Sequence, residues 1–297
     1  MQAPEWFQHI LKNDHPLKLI NEVWVDDHVV DLSKQWSFSQ EWKEHKDKQQ
    51  ENTWVWNTRE RLAQFFIETN TSKESIADKI ILDAGCGNGL LTKAIAEHNC
   101  NVLGIDIHPY LPASTDNCVF VQGSFDDPPF KKESFDIIIA NGSIHHTRST
   151  EHSFQSLASL VKERGTLYVW VYKKPEVFWQ KILLGIVDMK RFFISRSPVW
   201  LQKIFVHIIT QFFFLLSRIR KGGNSNRTRE EILINNYDTF TPRHRHYHTP
   251  TEVASWFHTA GFEAPILSHW NNKYGFGMMA IKNKNRSEAP GLSFGKN

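Results

Sequence analysis

The sequence predicts an α/β fold centred on a parallel sheet covered by helices on both faces. Short β-branched and aromatic runs alternate with helical stripes through the middle of the chain, which is the pattern of βαβ units. The runs are also apolar enough for strands buried on both faces.

The strand runs lie at 79–84, 101–107, 118–123, 135–140 and 166–172. Between them, Leu90, Leu91, Ala94 and Ile95 form one helical stripe. Phe154, Leu157, Leu160 and Val161 form another, with Gly165 where its C-cap would fall. In "HTPTEVASWFHTAGFE", Thr249 and Glu252 make a capping box with Pro250 at the first helical position. Val253, Trp256, Phe257 and Ala260 share a face, and Gly261 ends that helix. Two further strands follow near 264–269 and 277–282.

Two regions stand outside the alternation. Residues 1–75, with "QWSFSQEW" and "NTWVWNTRERLAQFF", read as a helical N-terminal segment laid against the sheet. Residues 175–231 read as a helical cap inserted into the sheet domain, which comprises 76–174 and 232–282. The polar tail 283–297 is expected to be disordered.

The chain has 297 residues, 40% hydrophobic and 23% charged, so a sizeable core can form and global disorder is excluded. A formal charge of +3 is too small to argue for a nucleic-acid partner. Cys86, Cys100 and Cys118 show no C-x-x-C spacing and imply neither a disulfide framework nor a zinc site. The N-terminus lacks a basic flank followed by an apolar run, so a cytoplasmic protein without a signal peptide is expected.

The chemistry concentrates at "ILDAGCGNG". A strand ends there in Gly85, Gly87 and Gly89 and a helix opens, a turn that lets a ligand approach the backbone. Asp106 closes the next strand, 21 residues beyond Gly85, where a ribose would present its hydroxyls. The loop is G-x-G-x-G with Asp83 just before it, which departs from the G-x-G-x-x-G dinucleotide fingerprint. A carboxylate there repels a pyrophosphate and suits a cation such as an amino group or a sulfonium.

Here the chain resembles the class I S-adenosylmethionine-dependent methyltransferases of the small-molecule type. "LDAGCGNG", "GIDI", "VQGSFDDPPF", "SFDIIIANGSIHHT" and "LVKERGTLYVWVY" stand in that family's order and spacing. The resemblance implies a doubly wound, Rossmann-like sheet of seven strands, the last antiparallel, and S-adenosyl-L-methionine as cofactor. It implies that Asp83 and the backbone of Gly85, Cys86 and Gly87 hold the methionine moiety, with the glycines clearing room for it. Asp106 would bind the ribose, Ile107 would lie against the adenine, and Ser124 and Phe125 would border it. Asn141 would line the cofactor. Ser124 stands where the family often has an acidic residue, and Asp126 is the candidate substitute.

An in-line methyl transfer needs a base only if the acceptor must lose a proton. The fourth strand ends in "ANGSIHHT" and not in an N-P-P-Y-type motif, which disfavours amide and exocyclic-amine acceptors. His145 and His146 fall near the acceptor, as bases for a hydroxyl or as residues that pack the loop. In "PRHRHYHT", His244, His246 and His248 would share one face of an extended segment bordering the substrate. No carboxylate or cysteine is interleaved, and no metal site is expected.

The insertion 175–231 carries a net charge of +6 and contains "IFVHIITQFFFLLS". That apolar run from Ile204 to Leu216, interrupted by His207, Thr210 and Gln211, is shorter than the roughly 20 residues a bilayer span needs. The segment reads as an amphipathic cap with its apolar face buried over the site. A sharper reading adds peripheral contact with an anionic membrane at the inner face. The expected activity is methyl transfer to a small, bulky or apolar acceptor, at oxygen. The alternatives are a C- or O-methyltransferase of quinone or isoprenoid-lipid biosynthesis, and a non-catalytic cofactor-binding partner subunit. A nucleic-acid substrate is disfavoured, because the basic segment is interleaved with long aliphatic and Phe runs.

Overall fold

The structure is a computed structural model that describes residues 2–27, 52–53, 56–220, 228–269, 271 and 274–284. "QWSFSQEW", most of the polar tail and most of the link after the cap lie outside these residues.

Five strands form the parallel centre: β5 (Ile80–Ala84), β6 (Asn101–Asp106), β7 (Cys118–Gln122), β8 (Phe135–Asn141) and β9 (Val161–Tyr172). They follow α1 (Glu5–Ile10), β1 (Leu17–Ile20), β2 (Val23–Asp26), the small pair β3 (Asn52–Thr53) and β4 (Trp56–Asn57), and α2 (Thr58–Glu68). Helix α3 (Leu90–Ala96) joins β5 to β6, and α4 (Thr150–Leu160) joins β8 to β9. Helices α5 (Phe178–Ile194), α6 (Val199–Arg220) and α7 (Arg229–Phe240) make the cap. The chain then returns through α8 (Pro250–Thr259), β10 (Ile266–Leu267) and β11 (Gly275–Ile281).

The sheet order is β1-β2-β7-β6-β5-β8-β9-β11-β10, with β11 antiparallel to β9. Successive residues along β5 feed opposite faces: Leu82 joins a core with Phe154, Val253 and Phe257, and Ile81 joins one with Phe65, Ile95 and Phe120. That alternation is what a sheet covered on both sides requires. The capping box at Thr249 and Glu252 forms as expected, and Gly261 takes φ +81° beyond the helix.

Four expectations are corrected. The N-terminal segment is not only helical, because β1 and β2 form a hairpin and β2 pairs parallel with β7, so the sheet has nine strands among the described residues. Asn21 and Glu22 both take positive φ, the geometry of a tight two-residue hairpin turn. Gly165 is no helix C-cap: α4 ends at Leu160, Val161 starts β9, and Gly165 lies inside that strand. A Cβ there would sit 2.9 Å from the Asp136 carbonyl oxygen, which is why the strand carries glycine.

The insertion boundary at 231 falls inside α7, so the cap continues into the part assigned to the sheet domain. Finally, the apolar face of the cap is not buried. Helix α6 buries Gln202, Val206 and Thr210 and exposes Trp200, Ile204, Ile208, Phe212 and Leu215. By length and composition 199–218 would suffice to cross a membrane, a longer stretch than the sequence pattern indicated.

Candidate active site

The glycine loop closes on itself. Gly85, Gly87 and Gly89 take φ of +83°, +55° and +71°, the left-handed region that favours glycine. A Cβ at Gly85 would fall 2.2 Å from Ser143 Cβ, and one at Gly89 would fall 2.5 Å from the Phe120 ring. At these two positions the missing side chain makes room for protein, not only for a ligand.

The loop's donors are committed as well. Gly85 and Cys86 N–H both donate to the Ile105 carbonyl, at 2.8 and 3.2 Å. Gly87 N–H donates to Asp106 Oδ2 at 2.9 Å, and Gly89 N–H to the Cys86 carbonyl at 3.0 Å. A phosphate cradle needs such groups free. Carboxylates dominate what remains, which fits a cationic ligand.

Asp83 is 4% exposed and accepts from Thr92 Oγ1 at 2.7 Å. Burial, with the Asp106 charge adding to it, pushes its pKa up to about 6 against the opposing Thr92 bond and Arg61 charge. Asp106 Oδ1 accepts from Ile107 N–H at 2.7 Å and His108 N–H at 3.3 Å. Burial raises the Cys86 thiol pKa far above its ordinary value, and its sulfur packs where a Gly104 side chain would be. Ser124 Oγ accepts from Asp126 N–H at 3.2 Å. The Asp126 carboxylate is taken by Ser153 Oγ, so it is not poised to replace the missing acidic residue. Phe125 packs half-buried against the core. Exposed Asn141 ends β8 and lines a narrow cleft with Arg61, Gln64 and Glu68 of α2.

Ser143 Oγ donates to the Ala84 carbonyl at 2.7 Å and ties the end of β8 to the loop. One short turn later, at Ile144–His146, come the two histidines. They differ sharply. His145 is 0% exposed, its ring 4.1 Å from Tyr172 and 4.3 Å from His146, and neither ring nitrogen makes a hydrogen bond. Burial drives its pKa well below the ordinary value, so it is neutral and walled in.

His146 keeps 8% exposure, with Nδ1 3.1 Å from the His244 carbonyl and Nε2 3.5 Å from Asp238 Oδ1. Asp238 belongs to α7 and also accepts from the Tyr172 hydroxyl. Burial alone would raise its pKa, but His146, Arg245 and Tyr172 together hold it below the usual carboxylate range. Burial and the Asp238 charge push Tyr172 well above its ordinary value, and the Arg245 guanidinium lies 4.4 Å over its ring.

The strap 244–248 runs extended beside this group. His246 N–H donates to the His145 carbonyl at 2.9 Å, and its Nε2 lies 3.0 Å from the Thr147 carbonyl. His248 Nδ1 lies 2.9 Å from Glu252 Oε1, and the His244 and His246 rings stack at 6.3 Å. Among the described residues no three His, Cys, Asp or Glu side chains converge as a metal site. Asp238 and Tyr172 were missed by sequence reasoning: Asp238 sits beyond the insertion without a motif, and Tyr172 reads only as a strand end. Arg245, between His244 and His246, was missed as well.

The family described as "Methyltransferase domain" matches residues 54–265. The chain therefore belongs to it, as a class I S-adenosylmethionine-dependent methyltransferase. A ubiquinone biosynthesis O-methyltransferase of Idiomarina loihiensis is 28% identical over 134 residues, 41% of this chain and 52% of that protein. A sterol 24-C-methyltransferase of Schizosaccharomyces pombe is 30% identical over 104 residues, 31% of this chain and 28% of that protein. An uncharacterized methyltransferase of Mycobacterium bovis is 27% identical over 115 residues, covering 34% and 55%. The chain thus spans about half the length of the first curated relatives it matches, 52% and 55%. Among solved structures, magnesium protoporphyrin IX methyltransferase from Synechocystis with bound SAH has a TM-score of 0.48 at 14% identity, covering 86% of this chain and 98% of that one.

Proposed function

We propose that the protein methylates an oxygen of a small, bulky or apolar acceptor, with His146 taking the acceptor's proton. S-adenosylmethionine supplies a methyl group already activated on a sulfonium. The loop supports that cofactor because its N–H groups are spent internally while Asp83 and Asp106 remain as carboxylates. Asp106 would take the ribose hydroxyls, with Ile107, Ser124 and Phe125 around the adenine. Asp83, Asn141 and the Gly85–Cys86–Gly87 backbone carbonyls would face the methionine end.

The carrying observation is the His146–Asp238 pair one turn from the loop. Both ring nitrogens face acceptors, Nδ1 the His244 carbonyl and Nε2 the Asp238 carboxylate, and these surroundings favour the ring's gain of a proton. The acceptor hydroxyl's proton would pass to the His146 ring, and the imidazolium charge would be held by the Asp238 carboxylate 3.5 Å from Nε2. Tyr172 donates to that carboxylate and stays protonated. His145 packs this group without taking a proton. His244, His246 and His248 border the acceptor with modest catalytic weight.

A second reading is C- or O-methylation of a quinone or isoprenoid lipid at a membrane's inner face, in a cytoplasmic protein that binds there peripherally. The exposed apolar faces of α5 and α6 favour it. Turnover of labelled cofactor with a metabolite extract separates both enzymes from a non-catalytic partner subunit. His146→Ala should bind S-adenosylhomocysteine normally and lose about 10²–10⁴-fold in turnover. Near-normal turnover would leave positioning as the mechanism and remove His146 as base.

A further inference from the structure

The cap is amphipathic in the wrong sense for a helix pair in water. Helix α6 turns Gln202, Val206 and Thr210 inward at spacings of four, and Asn236 of α7 donates to Thr210 Oγ1 at 3.0 Å in that buried seam. Its opposite face carries Ile208 (65% exposed), Phe212 and Leu215. Helix α5 repeats the arrangement with Phe178 (76% exposed), Trp179 and Phe193 outward. Soluble helices place the apolar stripe inside, and large apolar side chains exposed in this number on two neighbouring helices mark an interaction site.

We propose that the outer faces of α5 and α6 dock on an anionic phospholipid bilayer, with both helices lying in the plane of the headgroup boundary. Charge decides for lipid over a second copy of this chain. Segment 175–231 holds ten Lys/Arg against four Asp/Glu, so two copies would repel where an anionic surface attracts. Lys181, Lys190 and Arg196 are exposed beside the apolar residues, and the Arg196 guanidinium lies 3.8 Å over the Phe192 ring. Trp179 and Trp200 stand at the starts of their helices, where amphipathic rings suit the headgroup level.

The buried seam excludes a spanning helix, although 199–218 is long enough for one. Crossing the bilayer would pull α6 from α7, leave Gln202 and Thr210 facing hydrocarbon and take from Asn236 its Thr210 partner. An in-plane pair keeps the seam dry and immerses the exposed outer side chains. Docking would also bring a lipid-soluble acceptor toward Asp238 and His146, which deepens the apolar-acceptor reading. The binding test reads no methyl transfer, so either idea can fail alone.

The full chain is floated with phosphatidylcholine vesicles and with vesicles containing phosphatidylglycerol. Binding to the anionic vesicles is expected, weakening as salt rises, together with quenching of tryptophan emission by lipids brominated near the headgroup. The double variant Ile208→Glu, Phe212→Glu should lose binding at least tenfold, with unchanged helix content and unchanged affinity for S-adenosylhomocysteine. No binding, or equal binding to neutral vesicles, overturns the proposal. So does extraction that only detergent achieves, which marks a spanning helix. A lipid-free dimer that the double variant converts to monomer also overturns it, in favour of a second copy.

Discussion

Asp83 is a carboxylate in the core with one hydroxyl partner, and the energetics of the loop turn on it. Its pKa is about 6 in the folded protein against an ordinary value of 3.8. The folded chain therefore binds that proton more tightly than the unfolded chain. Stability from this residue is full below about pH 4 and falls as pH rises through 6, by about 3 kcal/mol at roughly 1.36 kcal/mol per pH unit. Asp83→Asn should remove the slope, so the variant gains on the parent between pH 4 and 7 in denaturant unfolding. Parallel curves for the two proteins would show that Asp83 is already ionised at low pH. A cationic ligand beside Asp83 favours the charged form, so S-adenosylmethionine should bind the parent more tightly as pH rises through 6, and Asp83→Asn should flatten that dependence.

Elements were legible where local chemistry and tertiary packing agree. The capping box at Thr249 and the apolar runs of β5 to β8 specify their own structure and appear in the fold almost as read. The hairpin β1–β2 was not legible, because its turn is Asn21–Glu22 without a glycine and its strands are only four residues each. The face of α6 was misread for a different reason. Periodicity shows that a helix has two faces, but which one a neighbour covers depends on α7, and α7 selects the polar one through Asn236. That selection can be measured. Thr210→Val keeps the volume and leaves the buried Asn236 amide without its acceptor, so it should cost about 1–3 kcal/mol in unfolding. Because α7 also carries Asp238, turnover should fall with it. A neutral substitution would mean that apolar packing such as Phe205 on Phe240 seats the helix instead.

Across the whole molecule the proposed cofactor and acceptor sides come from different stretches of chain. The residues proposed for the cofactor all lie between Ile80 and Asn141, and the sequence offers them because they stand in contiguous motifs. The other half is assembled from far apart: Tyr172 and Asp238 are 66 positions distant, and His146 and His244 are 98. No local pattern announces such a pairing. Helix α7 is where the halves meet, since it packs under α5 and α6 and presents Asp238 to the histidine turn. Replacing residues 177–227 by a short Gly/Ser linker removes α5 and α6 while leaving every cofactor-side residue in place. The shortened protein should keep its S-adenosylhomocysteine affinity by calorimetry, because among the described residues α5 and α6 pack chiefly on α7 and on each other. It should lose methyl transfer, because α7 without its cover exposes Ile232 and Phe240 and no longer holds Asp238 against His146. Retained transfer to an acceptor found with the intact protein would detach the cap from catalysis and leave it a docking surface alone. Lost cofactor affinity would show that the cap supports the sheet itself.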